Sequence, residues 1–351
     1  MSGRLEIDLG ALAHNYRVLN RGKPETLAAV VKADAYGLGA VQVAKTLWQQ
    51  GCREYFVAQA AEGVALRADL PNAAIYVLEG VTAQSVATLQ AHDLQPVLNS
   101  IEQCAVWGQT AKPAALQLDT GMARLGLDAE AVPPVIDRYG LDLGLLLTHF
   151  ARADEVGHDF NAKQLERVMA VFRQLQQQTP ELRLSLSNSA ACASGVAPPA
   201  DVVHLGRAGI GLYGGNPMAS GQAQDVGLMP VARVYGQILQ LREIAQGSPV
   251  GYGSTYVAAG AERLMIIGVG YADGVPRLLS GQGHVFADGK SCAIRGRVSM
   301  DMLHADAMAV DVAVGDWVEV IGSHISLDNV AQQAQTIAYE ILTGLGKRLH
   351  R

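Results

Sequence analysis

Between residues 27 and 215 the chain alternates short apolar runs with longer amphipathic stretches. The runs are Leu27–Val31, Tyr55–Val57, Ala74–Leu78, Leu94–Leu98, Ala114–Leu118, Leu141–Leu147, Leu182–Leu186 and Asp201–Leu205. A short run of branched and aromatic residues closed by a polar break reads as a strand. The segments between the runs read as helices. In Asn161–Gln178, the clearest, Leu165, Val168, Met169, Val171, Phe172 and Leu175 fall on one side, and Pro180 stops the pattern. About eight strand-helix units predict an α/β fold, a (β/α)8 TIM-like barrel rather than an open doubly wound sheet.

Past residue 225 the pattern changes. Val231–Leu241, Leu264–Val269, His284–Phe286 and Trp317–Ile321 are short strand-like runs separated by Gly, Asp and Pro, and the next long helical stretch is Asn329–Leu342. This predicts a mostly β C-terminal domain. The expected division is a barrel over 10–224 and a β domain over 225–351, which residues 1–9 join through a strand at Arg4–Leu9.

Composition narrows the function classes. Of 351 residues 49% are hydrophobic and 17% charged, which suits a large core. A net charge of -6 without basic clusters argues against nucleic acid. Arg4, Glu6 and Asp8 interrupt the N-terminus, so no signal peptide is expected, and no apolar stretch is long enough for a membrane span. Cys52, Cys104, Cys192 and Cys292 are scattered without a CxxC pair, so neither a disulfide framework nor a metal site is expected. A reducing cytoplasm fits.

Two features carry chemistry. Lys32 closes the first expected barrel strand in Ala28-Ala29-Val30-Val31-Lys32-Ala33-Asp34-Ala35-Tyr36-Gly37, and barrel active sites lie at the C-terminal ends of strands. Burial there favours a neutral amine, able to attack an aldehyde; by position alone a strand-end lysine more often reaches solvent. The loops after the seventh and eighth runs, Leu186-Ser187-Asn188-Ser189-Ala190-Ala191 and Gly206-Arg207-Ala208-Gly209-Ile210-Gly211, offer hydroxyls and exposed amides where barrels bind phosphate. The same residues are also common in ordinary turns.

VVKADAYGLG closely resembles the cofactor-lysine signature of the alanine racemases. LDTGMARLG, LTHFARAD, SNSAA, GRAGIGLYG, GYGSTY, GVGYADG, GRVSMD and TIAYEIL then follow in that family's order over nearly the whole chain. The resemblance implies a pyridoxal-phosphate enzyme that interconverts L- and D-alanine, for peptidoglycan or for alanine catabolism. It implies Lys32 as the Schiff-base lysine and one catalytic base, and Tyr252 as the second. Tyr36, Ser189, Gly209, Ile210 and Tyr339 would hold the phosphate, with Asn188 nearby; His149 would lie by the pyridine ring and Arg207 would donate to its nitrogen. Arg124 and Met300 would bind substrate, and Tyr271 and Asp301 would line the entrance. The resemblance also implies a homodimer with composite sites, Tyr252 coming from the partner subunit.

The sequence departs from the family at two places. Gln117 stands where many members carry a lysine, often carbamylated; its amide carbonyl can accept from Arg124, in a weaker bond than a charged carbamate would make. Ser185 stands where some relatives have histidine. Rival readings are a serine or broad-specificity racemase, a barrel decarboxylase of basic amino acids, whose reactive-cysteine motif SCAIRG around Cys292 does not match, and a non-enzymatic cofactor-binding barrel, which would lack the β domain.

Overall fold

The computed structural model describes residues 2–21 and 26–350. A first strand, β1 (Gly3–Ile7), leads into the helix Leu9–Asn20, which is capped by the Asp8 side chain. Eight parallel strands then form one sheet: β2 (Leu27–Val30), β3 (Glu54–Val57), β4 (Ala74–Val77), β5 (Gln95–Leu98), β6 (Ala114–Gln117), β7 (Leu143–Leu147), β8 (Arg183–Ser185) and β9 (Gly206–Ala208). Neighbours follow chain order, and β9 returns to pair with β2, Leu27 opposite Gly206 and Ala29 opposite Ala208. Bonds between residues 184 and 203–205, together with Arg207 N–H to Ser187 O at 2.8 Å, bring β8 and β9 together and close the barrel.

The barrel interior holds its own apolar cluster of Ala28, Phe56, Tyr76, Val97, Ala115, Leu145, Leu147 and Leu205. Phe56 and Tyr76 stack with centroids 4.6 Å apart. At the N-terminal end of the barrel, Arg183 pairs with both oxygens of Glu54 at 2.7 and 2.9 Å, and the Tyr76 hydroxyl donates to Glu54 at 2.9 Å. This satisfied network seals the end opposite the mouth. Outside, the longest helix runs Asp159–Gln176 and buries Val168, Val171, Phe172 and Leu175 on one face.

Two expectations shift. The eighth strand forms at Gly206–Ala208, past the apolar run Asp201–Leu205, in which Val203 is exposed. The physical reason is steric. A Cβ on Gly206 would stand 2.9 Å from Leu27 Cδ1 and 3.0 Å from Cys192 Sγ, so glycine is what lets this strand lie against β2. Likewise Asn329–Leu342 is two helices, Leu327–Gln333 and Ala338–Thr343, broken where Gln335 takes φ 52°.

The C-terminal part is antiparallel. Its main sheet has the order β15-β14-β17-β10-β13-β16, built from β10 (Ala232–Ile244), β13 (Glu262–Ile267), β14 (His284–Ala287), β15 (Lys290–Ala293), β16 (Leu303–Asp306) and β17 (Trp317–Ile321). A small ribbon pairs β11 (Pro249–Val250) with β12 (Tyr256–Val257). The N-terminal β1 pairs antiparallel with β10, Gly3 opposite Gly236 and Ile7 opposite Ala232, as expected of that strand. Among the described residues no helix is long and apolar enough to cross a membrane.

Candidate active site

At the C-terminal mouth of the barrel lies a cavity of about 560 Å³, a size that suits a small molecule. Lys32, Tyr36, Gln117, Arg124, His149, Asn188, Ser189, Arg207, Gly209, Ile210 and Tyr339 all line it. Ten of these eleven are residues to which the resemblance assigns roles; Gln117 is the departure noted above.

Lys32 follows β2 after the single residue Val31 and opens a turn of unusual hand. Ala33, Asp34, Ala35 and Tyr36 have φ of 52°, 53°, 53° and 58°, four successive left-handed residues other than glycine. Each costs roughly 1–2 kcal/mol relative to the right-handed form. Such strain persists only where its surroundings over-determine it. Here Ala35 N–H donates to Val31 O and Gly37 N–H to Ala33 O, while Ala35 and Tyr36 are buried. Glu62, from the helix Ala60–Asp69 after β3, accepts the Ala33 N–H at 2.6 Å. The Lys32 amine is held below the usual lysine pKa, first by burial and then by Arg124, with Glu62 acting the other way.

Opposite this turn, Arg207 on β9 lies inside the barrel. Its guanidinium donates to Ser185 Oγ at 2.5 Å, to Thr148 O at 2.7 Å and to His149 Nδ1 at 3.1 Å. That engages three of its five N–H donors and leaves two uncommitted. Burial lowers its pKa to about 10, so it keeps its charge at neutral pH. Burial, then Arg207, Arg124 and Lys32, push His149 down to about 3. His149 is therefore neutral, with its Nδ1 lone pair on Arg207 and its remaining proton on Nε2.

A polar cradle forms another wall. Ser189 Oγ accepts the amides of Gly209 at 2.8 Å and Gly211 at 3.3 Å, keeping its own proton to donate. A Cβ on Gly209 would lie 2.4 Å from the Tyr36 hydroxyl oxygen, so only glycine lets the chain pass there. Tyr36 packs between Tyr213 and Tyr339, with centroids 4.7 and 5.7 Å away. Tyr339 arrives from the C-terminal part, on the helix Ala338–Thr343. The Asn188 carbonyl caps the helix Ser189–Ser194 through Ala191 N–H at 3.0 Å, so only its amide nitrogen is uncommitted.

Arg124 rides on a loop shaped by Asp119, whose carboxylate accepts the amides of Gly121, Met122 and Ala123. Gln164, on the long helix, joins this loop to the strand-end segment by donating to Thr120 Oγ1 and to His149 O, both at 3.0 Å. Gln117 faces the same cavity but makes no hydrogen bond to Arg124, contrary to expectation.

The other sequence-derived residues stand apart. Tyr252, 73% exposed, and Met300, 52% exposed, project from the β domain outside the cavity lining. Tyr271 is exposed as well, and Asp301 accepts from Arg348 at 2.8 Å. Glu62, Asp119, Thr148 and Gln164 were not singled out from sequence. Glu62 carries the mark of a helix-capping acid and Asp119 that of an Asx turn, signals that say nothing about a neighbouring site.

Comparisons with known proteins bear on the family and the fold. The sequence model of the alanine racemase N-terminal domain matches residues 7–217 and that of the C-terminal domain residues 231–351. An alanine racemase of Brucella abortus is 40% identical over 99% of this chain and 93% of its own length. A catabolic alanine racemase of Agrobacterium fabrum is 42% identical over 100% of this chain and 92% of its own. The crystal structure of the Bartonella henselae alanine racemase with covalently bound pyridoxal phosphate superposes with a TM-score of 0.89 at 37% identity, covering 100% of this chain and 99% of that one. The biosynthetic enzyme of Pseudomonas aeruginosa gives 0.89 at 36% identity, covering 100% and 98%. With both domains matched in order and relatives aligned end to end, the chain belongs to the alanine racemase family.

Proposed function

We propose that this protein interconverts L- and D-alanine using pyridoxal phosphate bound at the barrel mouth through Lys32. The observation that carries this reading is one shared cavity. It brings together a lysine whose charged form is disfavoured, a buried arginine with uncommitted donors and a serine-glycine-tyrosine cradle. These residues fit the cofactor. Ser189, Tyr36, Tyr339 and the backbone of Gly209 and Ile210 suit its phosphate, Asn188 adds an amide nitrogen, Arg207 suits its ring nitrogen with His149 beside it, and Lys32 its aldehyde.

Bound pyridoxal phosphate supplies an electron sink that acidifies the α-hydrogen of an attached amino acid. The protein supplies placement and proton transfer. Lys32 takes or returns the proton on one face. Racemisation needs a second base on the other face, and two groups in the lining are committed elsewhere: the Asp119 carboxylate to its loop amides, and the His149 lone pair to Arg207. Tyr252 is our candidate, contributed by a second copy of the chain; its exposure and its place outside the cavity lining support this arrangement. A phenol acts as a base only beside cations or donors, and Arg207 and Arg124 bring cations to this cavity. Arg124 would orient the substrate carboxylate, with the Met300 backbone, Tyr271 and Asp301 arriving from the partner at the entrance. Four unpaired cysteines suit a cytoplasmic setting.

The test is to incubate the protein and its cofactor with a panel of L-amino acids in deuterated water. D-Alanine labelled at the α-carbon should form fastest. Faster turnover of serine would replace the substrate assignment, and amine products from lysine or ornithine would replace the reaction.

A further inference from the structure

We propose that Glu62 is a positioning residue for Lys32: its carboxylate ties the left-handed turn that carries the lysine to the loop after the next strand, and so fixes where the amine stands in the cavity. Only the kinetic arm of the test below rests on the racemase reading.

One carboxylate oxygen behaves as a helix cap would. Glu62 Oε2 accepts the amides of Ala58 at 2.7 Å and Gln59 at 3.1 Å, at the start of its own helix. The other does something a cap does not require. Glu62 Oε1 accepts the Ala33 N–H at 2.6 Å, 29 residues away in sequence. Ala33 is the residue after Lys32 and the first of the four left-handed residues, where the backbone changes hand. The leading amide of a turn has no partner within it. A charged acceptor pins such an amide far better than water does. The position of Lys32 is thus defined on one side by β2 and on the other by Glu62.

The same carboxylate bears on the charge of the amine. Burial and Arg124 disfavour the ammonium form of Lys32, and Glu62 favours it. The other titratable groups around the cavity are Tyr36, Glu79, Asp119, His149, Arg207 and Tyr339. His149 is neutral, and Asp119 is bound to its own loop. Glu62 is therefore a carboxylate in direct contact with the lysine's own turn.

The test compares Glu62→Ala with the parent holoenzyme by amide hydrogen exchange and by kinetics. A residue that only caps its helix would, when removed, speed exchange in residues 58–66 alone. The proposal expects residues 32–37 to exchange faster as well, by roughly tenfold at Ala33. It also expects kcat for alanine to fall by roughly tenfold or more, with KM changed less than about threefold. Unchanged exchange across 32–37 overturns the proposal, and so does faster exchange there with kcat unaltered. If Glu62→Ala does not fold, Glu62→Asp keeps the charge and loses the reach, and the same outcomes decide. If the parent fails to racemise alanine, the racemase reading falls and the exchange arm alone decides the role of Glu62.

Discussion

Ala33→Gly is expected to stabilise this protein, although Ala→Gly in a helical turn ordinarily costs about 1 kcal/mol. Ala33 sits at φ 52° and ψ 48°, where its Cβ crowds the following carbonyl. Removing the Cβ relieves roughly 1–2 kcal/mol. Glycine's greater freedom in the unfolded chain takes back about 0.5–1 kcal/mol. Ala33 is exposed, so little apolar burial is lost. The net is a gain of about 0–1.5 kcal/mol. Ala35 is the internal control: its φ is 53° but it is fully buried, so losing its methyl contacts offsets the relief and Ala35→Gly should be close to neutral. Urea unfolding at fixed protein and cofactor concentration measures both variants. A lower midpoint for Ala33→Gly, with unchanged slope, would refute the claim that this turn is strained. The expected accompaniment is a lower kcat, because the glycine loosens the turn that holds Lys32.

Other perturbations follow from the same geometry. Arg183→Met leaves Glu54 with only its Tyr76 hydrogen bond at the sealed end of the barrel and should cost about 1–3 kcal/mol in urea unfolding, part of it recovered by adding Glu54→Gln; strict additivity of the two would contradict the pair's role. His149, held at about 3 when folded against an ordinary value near 6.5, stays unprotonated where the unfolded chain takes up a proton. Its contribution to stability is thus complete above about pH 6.5 and is lost progressively as pH falls toward about 3. The stability gap between the parent and His149→Gln should narrow on acidification, and urea midpoints giving a constant gap would contradict this. Gln117→Ala should leave alanine kinetics within about twofold of the parent, since no hydrogen bond joins Gln117 to Arg124; a large rise in KM would show that the amide acts on the arginine after all.

The sequence made the barrel legible because its strands are buried on both faces and read as unbroken apolar runs. It failed at β9, where close packing on Leu27 and Cys192 demands glycine and where Arg207 replaces an apolar residue inside the barrel. Pattern favoured the neighbouring run, half of which faces solvent. Tyr36, Ser189, Arg207 and Tyr339 were named through an ordered set of motifs, and the structure gathers them in one cavity. Periodicity could not have done so, because Tyr339 comes from a different part of the chain. The hand of the turn at Ala33–Tyr36 was hidden, since two alanines and a tyrosine disfavour a left-handed backbone and only Asp34 and the following Gly37 tolerate one. Glu62 was hidden for a related reason: a capping acid looks the same whether one of its oxygens is spare or not.

In the proposed arrangement Lys32 and Tyr252 from two copies of the chain share one site. Mixing Lys32→Ala with Tyr252→Phe, each inactive alone, tests it directly. Redistribution of subunits should restore alanine racemisation to roughly a quarter of the parent rate, since half of the subunits pair as mixed dimers with one intact site in two. A mixture that exchanges subunits, shown by mass tagging, yet stays as inactive as its components would rule out a site shared between two copies.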